Sequence, residues 1–551
     1  MNKTVSYSIL ISILCCILFL PFLGSVHLFD WDEINFAECA REMLVSNNYS
    51  VVTINFLPFW EKPPLFIWLQ ALSMNMFGVN EFAARLPNAI CGIITAVVLF
   101  NIGTKLKNTQ LGLLWVLTYV GSFLPHFYFK SGIIDPWFNL FIFLGIYFMA
   151  LHTNANANNT TNKNILLSSL FIGLGILTKG PVAFLIYFLC VLVYLASTKF
   201  KKVVSLKQVA LGAIVLFLVG GFWFILQVLM GHTDIIIDFI NYQIRLLTTE
   251  DSGHGGPVYY HLLVLLLGCF PASIFAIGGF KNDSKEEPSL AHFKKWMVIL
   301  FAVVLILFSL VKTKIVHYSS LCYFPLTFIA AYSIEKIISG EFTWKKWMGW
   351  LIGIIGITIG LVISLPAFID WNKEKIIASN LIKDDFAVEN LKATVHWSAY
   401  DVLPGIIYMI GISIVVLLLK KKKFKDGIIG LFVLSLVTVN LVSILVVPKV
   451  EQYSQGAAIE FYTSLQNEDC YVETLGFKSY AHFFYKQTKE SNNINNAGNE
   501  WLLNGTLDKP AYFVCKINNA DEYLKSYPQL KEIYKKNGFV FFVRKPPFQI
   551  K

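Results

Sequence analysis

Runs of roughly 16 to 24 apolar residues recur along most of this 551-residue chain, and they limit its fold more than any other feature. A helix that crosses about 30 Å of hydrocarbon needs about 20 apolar residues. Lipid offers no partner to backbone N–H and C=O groups, so only helices or closed barrels can cross it. Runs of this length specify helices. Only 15% of the residues are charged and 56% are hydrophobic, where a soluble domain carries about 25% charged residues. Mean hydropathy is +0.59. The sequence therefore reads as an integral membrane protein, mainly α.

Thirteen apolar windows are candidate spans: 6–24, 82–104, 109–127, 133–151, 165–179, 181–198, 208–230, 257–280, 296–311, 315–335, 346–369, 402–419 and 426–447. The pair 165–179 and 181–198 is divided only by Lys179-Gly180-Pro181. The first window follows Lys3 and resembles a signal peptide. No small-x-small cleavage motif follows it, so it is read as an uncleaved first span. Lysines concentrate in alternate loops, around 105–107, 199–207, 281–295, 336–346 and 420–425. By the positive-inside rule these loops face the cytoplasm, as does the N-terminus. The segments 25–81, 128–132, 231–256 and 370–401, the turns at Lys179 and Lys312–Lys314, and the tail then face outward.

The net charge of +10 does not make a nucleic-acid protein, because the lysines fall between apolar runs rather than along one face. The nine cysteines show no CxxC or zinc-finger spacing. Cys470 and Cys515 are the two that an oxidising compartment would allow to bridge. Residues 1–447 form the membrane domain in this reading, and 448–551 a separate small α/β unit. Within it, "CYVETLGF", "AYFVCKI" and "GFVFFVRK" read as strands and "ADEYLKSYPQLKEIYKK" as a helix.

The first outward segment contains "HLFDWDEINFAECAREMLVSNN", with Asp30, Asp32, Glu33, Glu38 and Glu42 close together. Ile34, Ala37, Ala40 and Leu44 mark one face of a helix, which suggests an amphipathic helix lying on the membrane surface. Asp32 suits an N-cap, but one cap does not account for a cluster of acids. Pro64 suits the first turn of a second helix, Leu65–Phe77, which Gly78 ends. Glu61 and Lys62 then sit at a helix N-terminus, a place suited to phosphate; the plainer alternative is a surface ion pair. Asp135 and Lys179 stand at outward span ends, where charges tend to be paired or functional. Arg245 lies in "NYQIRLL", His254 in "SGHGGP", and His317 and Tyr318 in "KTKIVHYSSLCY". A lone histidine is more often structural than a ligand, and no spacing marks a transition-metal site.

The strings "DEINFAECAREML", "EKPPLFIWLQALSMNMFGVNEFAARLPNAI", "SGIIDPWFNL", "GLGILTKGPVAFL", "SGHGGPVYYHLLVLLLGCFPAS" and "KTKIVHYSSLCYFPL" resemble those of the lipid A 4-amino-4-deoxy-L-arabinose transferases. These belong with the protein O-mannosyltransferase-like enzymes of GT-C fold. The likeness covers roughly residues 25–335. It implies an enzyme of the inner membrane that takes a sugar from a polyprenyl-phosphate carrier, usually with inversion. The acceptor on the outer side would be lipid A, another glycan or a protein hydroxyl. It also implies roles: Asp32, Glu33 and Asp135 catalytic; Lys62, Lys179 and Arg245 on the carrier phosphate; His254, His317 and Tyr318 near substrate. Some relatives hold a divalent metal near the glutamate, for which Glu61 is the candidate ligand here. No nucleotide cofactor is expected, since the cytoplasmic loops are too short for a nucleotide fold. A transporter of lipid-linked sugars would show repeated halves and mid-span charges, and the sequence has neither. A non-catalytic scaffold would leave Asp32, Lys62, Asp135 and Lys179 without a purpose.

Overall fold

The computed structural model describes residues 3–154, 162–201, 203–248, 255–280, 286–492 and 498–546. All thirteen apolar windows fall on helices. Seven are long and apolar enough to cross a bilayer: Glu81–Leu106, Asp135–Thr153, Pro288–Leu310, Val316–Ser339, Lys346–Trp371, Ala399–Lys420 and Phe424–Leu445. Two further windows are broken rather than straight. Leu206–Gly220 and Phe222–Leu229 meet at 58°, and Tyr260–Gly268 and Ala272–Gly279 at 113°.

Of the thirteen expected spans, seven among the described residues, or nine if each bent pair counts once, have the length and apolar character to cross a bilayer. The other four windows carry shorter helices, Lys3–Phe19, Thr109–Val120, Asn162–Lys179 and Val182–Ser197. The 12-residue Thr109–Val120 helix reaches only about 18 Å at 1.5 Å per residue. Windowed hydropathy cannot see the causes. Gly220-Gly221 and Pro271 interrupt the backbone inside runs that stay apolar.

Close helix approach is set by small residues. Helices Glu81–Leu106 and Thr109–Val120 pack where Gly103 faces Gly112, so a Cβ at 103 would lie 2.7 Å from the Gly112 Cα. The largest apolar cluster surrounds the fully buried Trp115 and Trp296.

The first loop folds as the helix Asp32–Ser46, a hairpin Thr53–Ile54/Leu57–Pro58, and the helix Leu65–Phe77 ending at Gly78 with φ +80°. Two expectations are corrected here. The Asp32–Ser46 helix does not lie on a surface: every residue from Glu33 to Met43 is buried. Most of its polar groups find partners within the protein, although Glu42 Oε1 is buried without one. Arg41 pairs with Glu38 through two bonds of 2.7 and 2.6 Å, and Glu42 accepts from Thr53 Oγ1 and the Phe56 N–H at 2.7 and 2.9 Å. Nor is Asp32 the N-cap. That position is Trp31, which makes no side-chain cap.

The C-terminal part holds a four-stranded sheet in the order Tyr471–Leu475, Ala511–Lys516, Phe539–Arg544, Lys531–Lys536. The first pair is parallel and the other two are antiparallel. The three expected strands are present. The expected helix over 520–536 divides instead: Ile517–Ser526 is helical and Lys531–Lys536 is a strand. Pro528 ends the helix, and Asn537-Gly538, at φ +47° and +75°, turns the last hairpin. All nine cysteines are free, Cys470 and Cys515 included. Ala457, Ile459, Phe461, Tyr462 and Phe484 share one apolar cluster with Leu28, Ile34, Ala37, Ala40 and Ile67 of the first loop. The C-terminal sheet unit and the first loop therefore share a core.

Candidate active site

Asp32 and Glu33 are sequence neighbours on the first helical turn, and that spacing sends them to different places. Asp32 is partly exposed, and its Oδ2 lies 3.3 Å from His317 Nε2. Glu33 is buried and its carboxylate is fully engaged. It accepts from Arg85 Nε (3.1 Å) and Nη2 (2.8 Å), from the Phe29 N–H (2.8 Å), and from the Gly132 N–H. Arg85 spends its remaining N–H groups on the carbonyls of Leu23, Val26 and His27. Through these bonds Glu33, expected in the sequence to be catalytic, ties the entry of the first loop to the Gly132 turn.

Asp135 opens the helix Asp135–Thr153, and Lys179 closes the helix Asn162–Lys179. Their side chains meet, Nζ to Oδ1 2.7 Å. The other oxygen, Oδ2, is buried without a hydrogen-bond partner. Gly180, at φ +97°, turns the chain straight after Lys179, and a Cβ there would lie 2.6 Å from the Phe239 ring. The Lys179 ammonium also lies 5.6 Å from the Tyr318 ring centroid.

Arg245 comes from the helix Thr233–Thr248, which folds back over the first loop. One ring organises this side. Tyr242 has Lys62 Nζ 5.0 Å and Arg245 5.2 Å from its centroid, and its hydroxyl donates to Glu61 Oε2 at 3.1 Å. Trp60 packs edge-on against the same ring at 5.6 Å. Burial lowers the Lys62 ammonium below the ordinary lysine value, and Glu61, Asp32 and Asp135 oppose that fall. Lys62 thus feels the acids of both other groups, and Asp135, Asp32, Lys179 and Lys62 all lie within electrostatic range of His317.

The structure therefore brings together Asp32, Glu61, Lys62, Asp135, Lys179, Arg245, His317 and Tyr318, drawn from five stretches of chain. His254 lies outside the described residues. Tyr242 and Arg85 were missed in the sequence. Tyr242 carried a signal, its i,i+3 spacing to Arg245 on one helix face. Arg85 carried none, since its partners are 52 or more residues away.

Among the described residues, no three His, Cys, Asp or Glu side chains converge as a metal set. Glu61 accepts from the Tyr242 phenol and lies beside the Lys62 ammonium, a setting poor for a divalent cation. The surroundings suit an anion better.

Comparison with known proteins agrees with this picture. Residues 61–223 match the family model "Dolichyl-phosphate-mannose-protein mannosyltransferase". An undecaprenyl phosphate-alpha-4-amino-4-deoxy-L-arabinose arabinosyl transferase of Proteus mirabilis is 28% identical over 56% of this chain and 55% of its own length. The corresponding transferase of Wigglesworthia glossinidia brevipalpis is 26% identical over 61% and 59%. The chain thus spans under two thirds of these relatives' lengths. The crystal structure of ArnT from Cupriavidus metallidurans bound to undecaprenyl phosphate superposes with a TM-score of 0.73, covering 98% of both chains at 16% identity. That likeness establishes the fold, which is the GT-C arrangement that the motifs implied.

Proposed function

Starting from a GT-C fold that carries the motifs of these transferases, we propose that this chain is a membrane glycosyltransferase. It moves a sugar from a polyprenyl-phosphate carrier to a lipid or glycan acceptor on the outer face of the inner membrane. One observation carries the reading: partly exposed Asp32 shares an electrostatic neighbourhood with a group of cations, Lys62 and Arg245 about Tyr242 and Lys179 on Asp135.

The chemistry follows from that division. An acceptor oxygen forms a bond to the anomeric carbon as the bond from that carbon to the carrier phosphate oxygen breaks. The electron pair leaves with the phosphate, so negative charge grows on polyprenyl phosphate. Lys62, Arg245 and Lys179 meet that charge in a partly dehydrated site, where fixed cations act most strongly. Asp32 takes the proton of an acceptor hydroxyl, and His317 beside it holds the carboxylate in place. The free Oδ2 of Asp135 is oriented by Lys179 to accept a hydroxyl of the bound sugar.

Asp32→Asn and Asp135→Asn test this. Each should lower transfer by about 10²–10⁴-fold with the membrane level of protein unchanged. Mass spectrometry of glycolipids from a deletion strain should show the unmodified acceptor and accumulated polyprenyl-phosphate sugar. Full transfer in both variants would remove the carboxylates from the reaction.

A further inference from the structure

Two lysine runs from different loops meet at one edge of the membrane domain. Lys345 and Lys346 open the helix Lys346–Trp371, and Lys420 to Lys423 with Lys425 form the turn between the helices Leu403–Lys420 and Phe424–Leu445. Small residues fix how the first of these helices meets the second. A Cβ added at Gly405 would meet Ser364, one at Gly360 Met409, one at Gly356 Ile412 and one at Gly353 Val416. The two helices are therefore antiparallel, and the same register sets the start of one beside the end of the other. The Lys420 ammonium lies 5.8 Å from the Trp350 ring centroid, and the Trp344 and Phe424 rings stand 5.6 Å apart.

All of these lysines are exposed, and among the described residues none is in an ion pair. The acids nearest in the chain are Glu341 and Asp426, both exposed. Glu341 accepts from the Ser339 hydroxyl at 3.0 Å. The patch is thus strongly positive. Like charges gathered this way repel one another, and an anion placed among them removes that repulsion. The helix Lys346–Trp371 also begins here without a side-chain cap, so its positive end adds to the same field.

The platform beneath the lysines is fixed. Trp344 packs 6.3 Å from the Phe275 ring, and Phe342, Trp344 and Phe424 all rest on the main apolar cluster.

The surroundings select the anion. Trp347 and Trp350 are exposed beside the lysines, and apolar stripes run away from them along both helices. Ile354, Leu361 and Phe368 mark one stripe, and Leu417, Ile410 and Leu403 the other, all exposed. Residues spaced in this way return to one helix face after about two turns. Such faces are for acyl chains. The lysines therefore stand where hydrocarbon gives way to headgroups, with tryptophans at the boundary that suits their amphipathic rings. A nucleic acid would instead need a basic face clear of lipid.

We propose that this patch binds an anionic phospholipid. Its phosphate sits between the Lys345–Lys346 end and the Lys420–Lys425 turn, and its acyl chains lie along the exposed stripes. The positive-inside rule assigns this edge to the cytoplasmic leaflet, where basic clusters beside membrane helices recognise such headgroups. None of these residues takes part in the transfer step, so the site does not depend on that reading.

The test uses the full chain in detergent, with native mass spectrometry against an equimolar mixture of phosphatidylglycerol and phosphatidylcholine. Phosphatidylglycerol should be retained in preference. The variants Lys345→Gln/Lys346→Gln and Lys421→Gln/Lys422→Gln/Lys423→Gln should each lower its retention by at least about tenfold. Every changed side chain is exposed, so the helices keep their packing. Taking exposed lysines from the C-terminal sheet unit, in Lys525→Gln/Lys531→Gln/Lys545→Gln, should leave retention at the parent level. Equal retention of the two lipids by the parent, or an equal loss in the sheet-unit variant, overturns the site. Loss in one patch variant alone overturns the placement between the two runs. Displacement of phosphatidylglycerol by a single-stranded oligonucleotide overturns the choice of a lipid.

Discussion

In the proposed reaction, single residues divide into those that react and those that hold the reacting ones. Glu33 and Arg85 belong to the second group. Arg85→Ala leaves Glu33 buried without its cation, a change that costs about 3–5 kcal/mol. It should lower the thermal midpoint and the yield of folded protein, while Asp32→Asn does neither; differential scanning fluorimetry in detergent separates the two. Glu42 offers a pH prediction. Burial first, and Glu38 next, raise its carboxyl from 4.5 to about 8. The folded chain keeps a proton there that the unfolded chain releases. Its contribution to stability is complete below 4.5 and is lost as pH rises through about 8. The midpoint should therefore fall across that window, and less steeply in Glu42→Gln, whose amide keeps the acceptor oxygen for Thr53 and Phe56. At this scale the sequence was partly legible. It showed Asp32-Glu33 as a pair. Consecutive residues on a helix point about 100° apart, so adjacency said nothing of their opposite fates.

Elements follow the same logic at larger spacing. The apolar windows located every membrane helix, because about 20 apolar residues in a row have few other uses. Where helices bend was not legible, since Gly220-Gly221 and Pro271 sit inside runs that remain apolar. The misread 520–536 segment carried its own correction in Pro528 and Asn537-Gly538, a breaker followed by a tight-hairpin signal. Helix contacts yield a test. Gly103→Leu puts a branched side chain against the Gly112 backbone, and overpacking costs about 1–3 kcal/mol or more. Gly430→Leu, where no atom lies within 4 Å of an added Cβ, should leave the protein unchanged. Size-exclusion profiles of the two variants in detergent would show the contrast.

Over the whole molecule, the first loop and the C-terminal unit stabilise one another. The Leu28 N–H donates to the Tyr485 hydroxyl at 2.7 Å, and Gln455 Nε2 donates to the Leu28 carbonyl at 2.7 Å. Tyr485→Phe leaves that buried N–H without a partner, a loss of about 1–3 kcal/mol. Limited proteolysis should then cut faster within residues 25–31, and transfer should fall although no reacting group has changed. This contact was not legible beforehand, because it joins positions 457 residues apart and depends on a core that neither segment's pattern reveals.

That distant contact also sets an order of events during biosynthesis. Residues 25–81 emerge from the ribosome early, yet the apolar surface they pack against is made only with the final hundred or so amino acids. A half-made chain would have its membrane helices in place and an unfinished pocket. The transfer proposed above would remain silent until that last segment docked, so loss of the C-terminal unit should be as damaging as loss of the first loop.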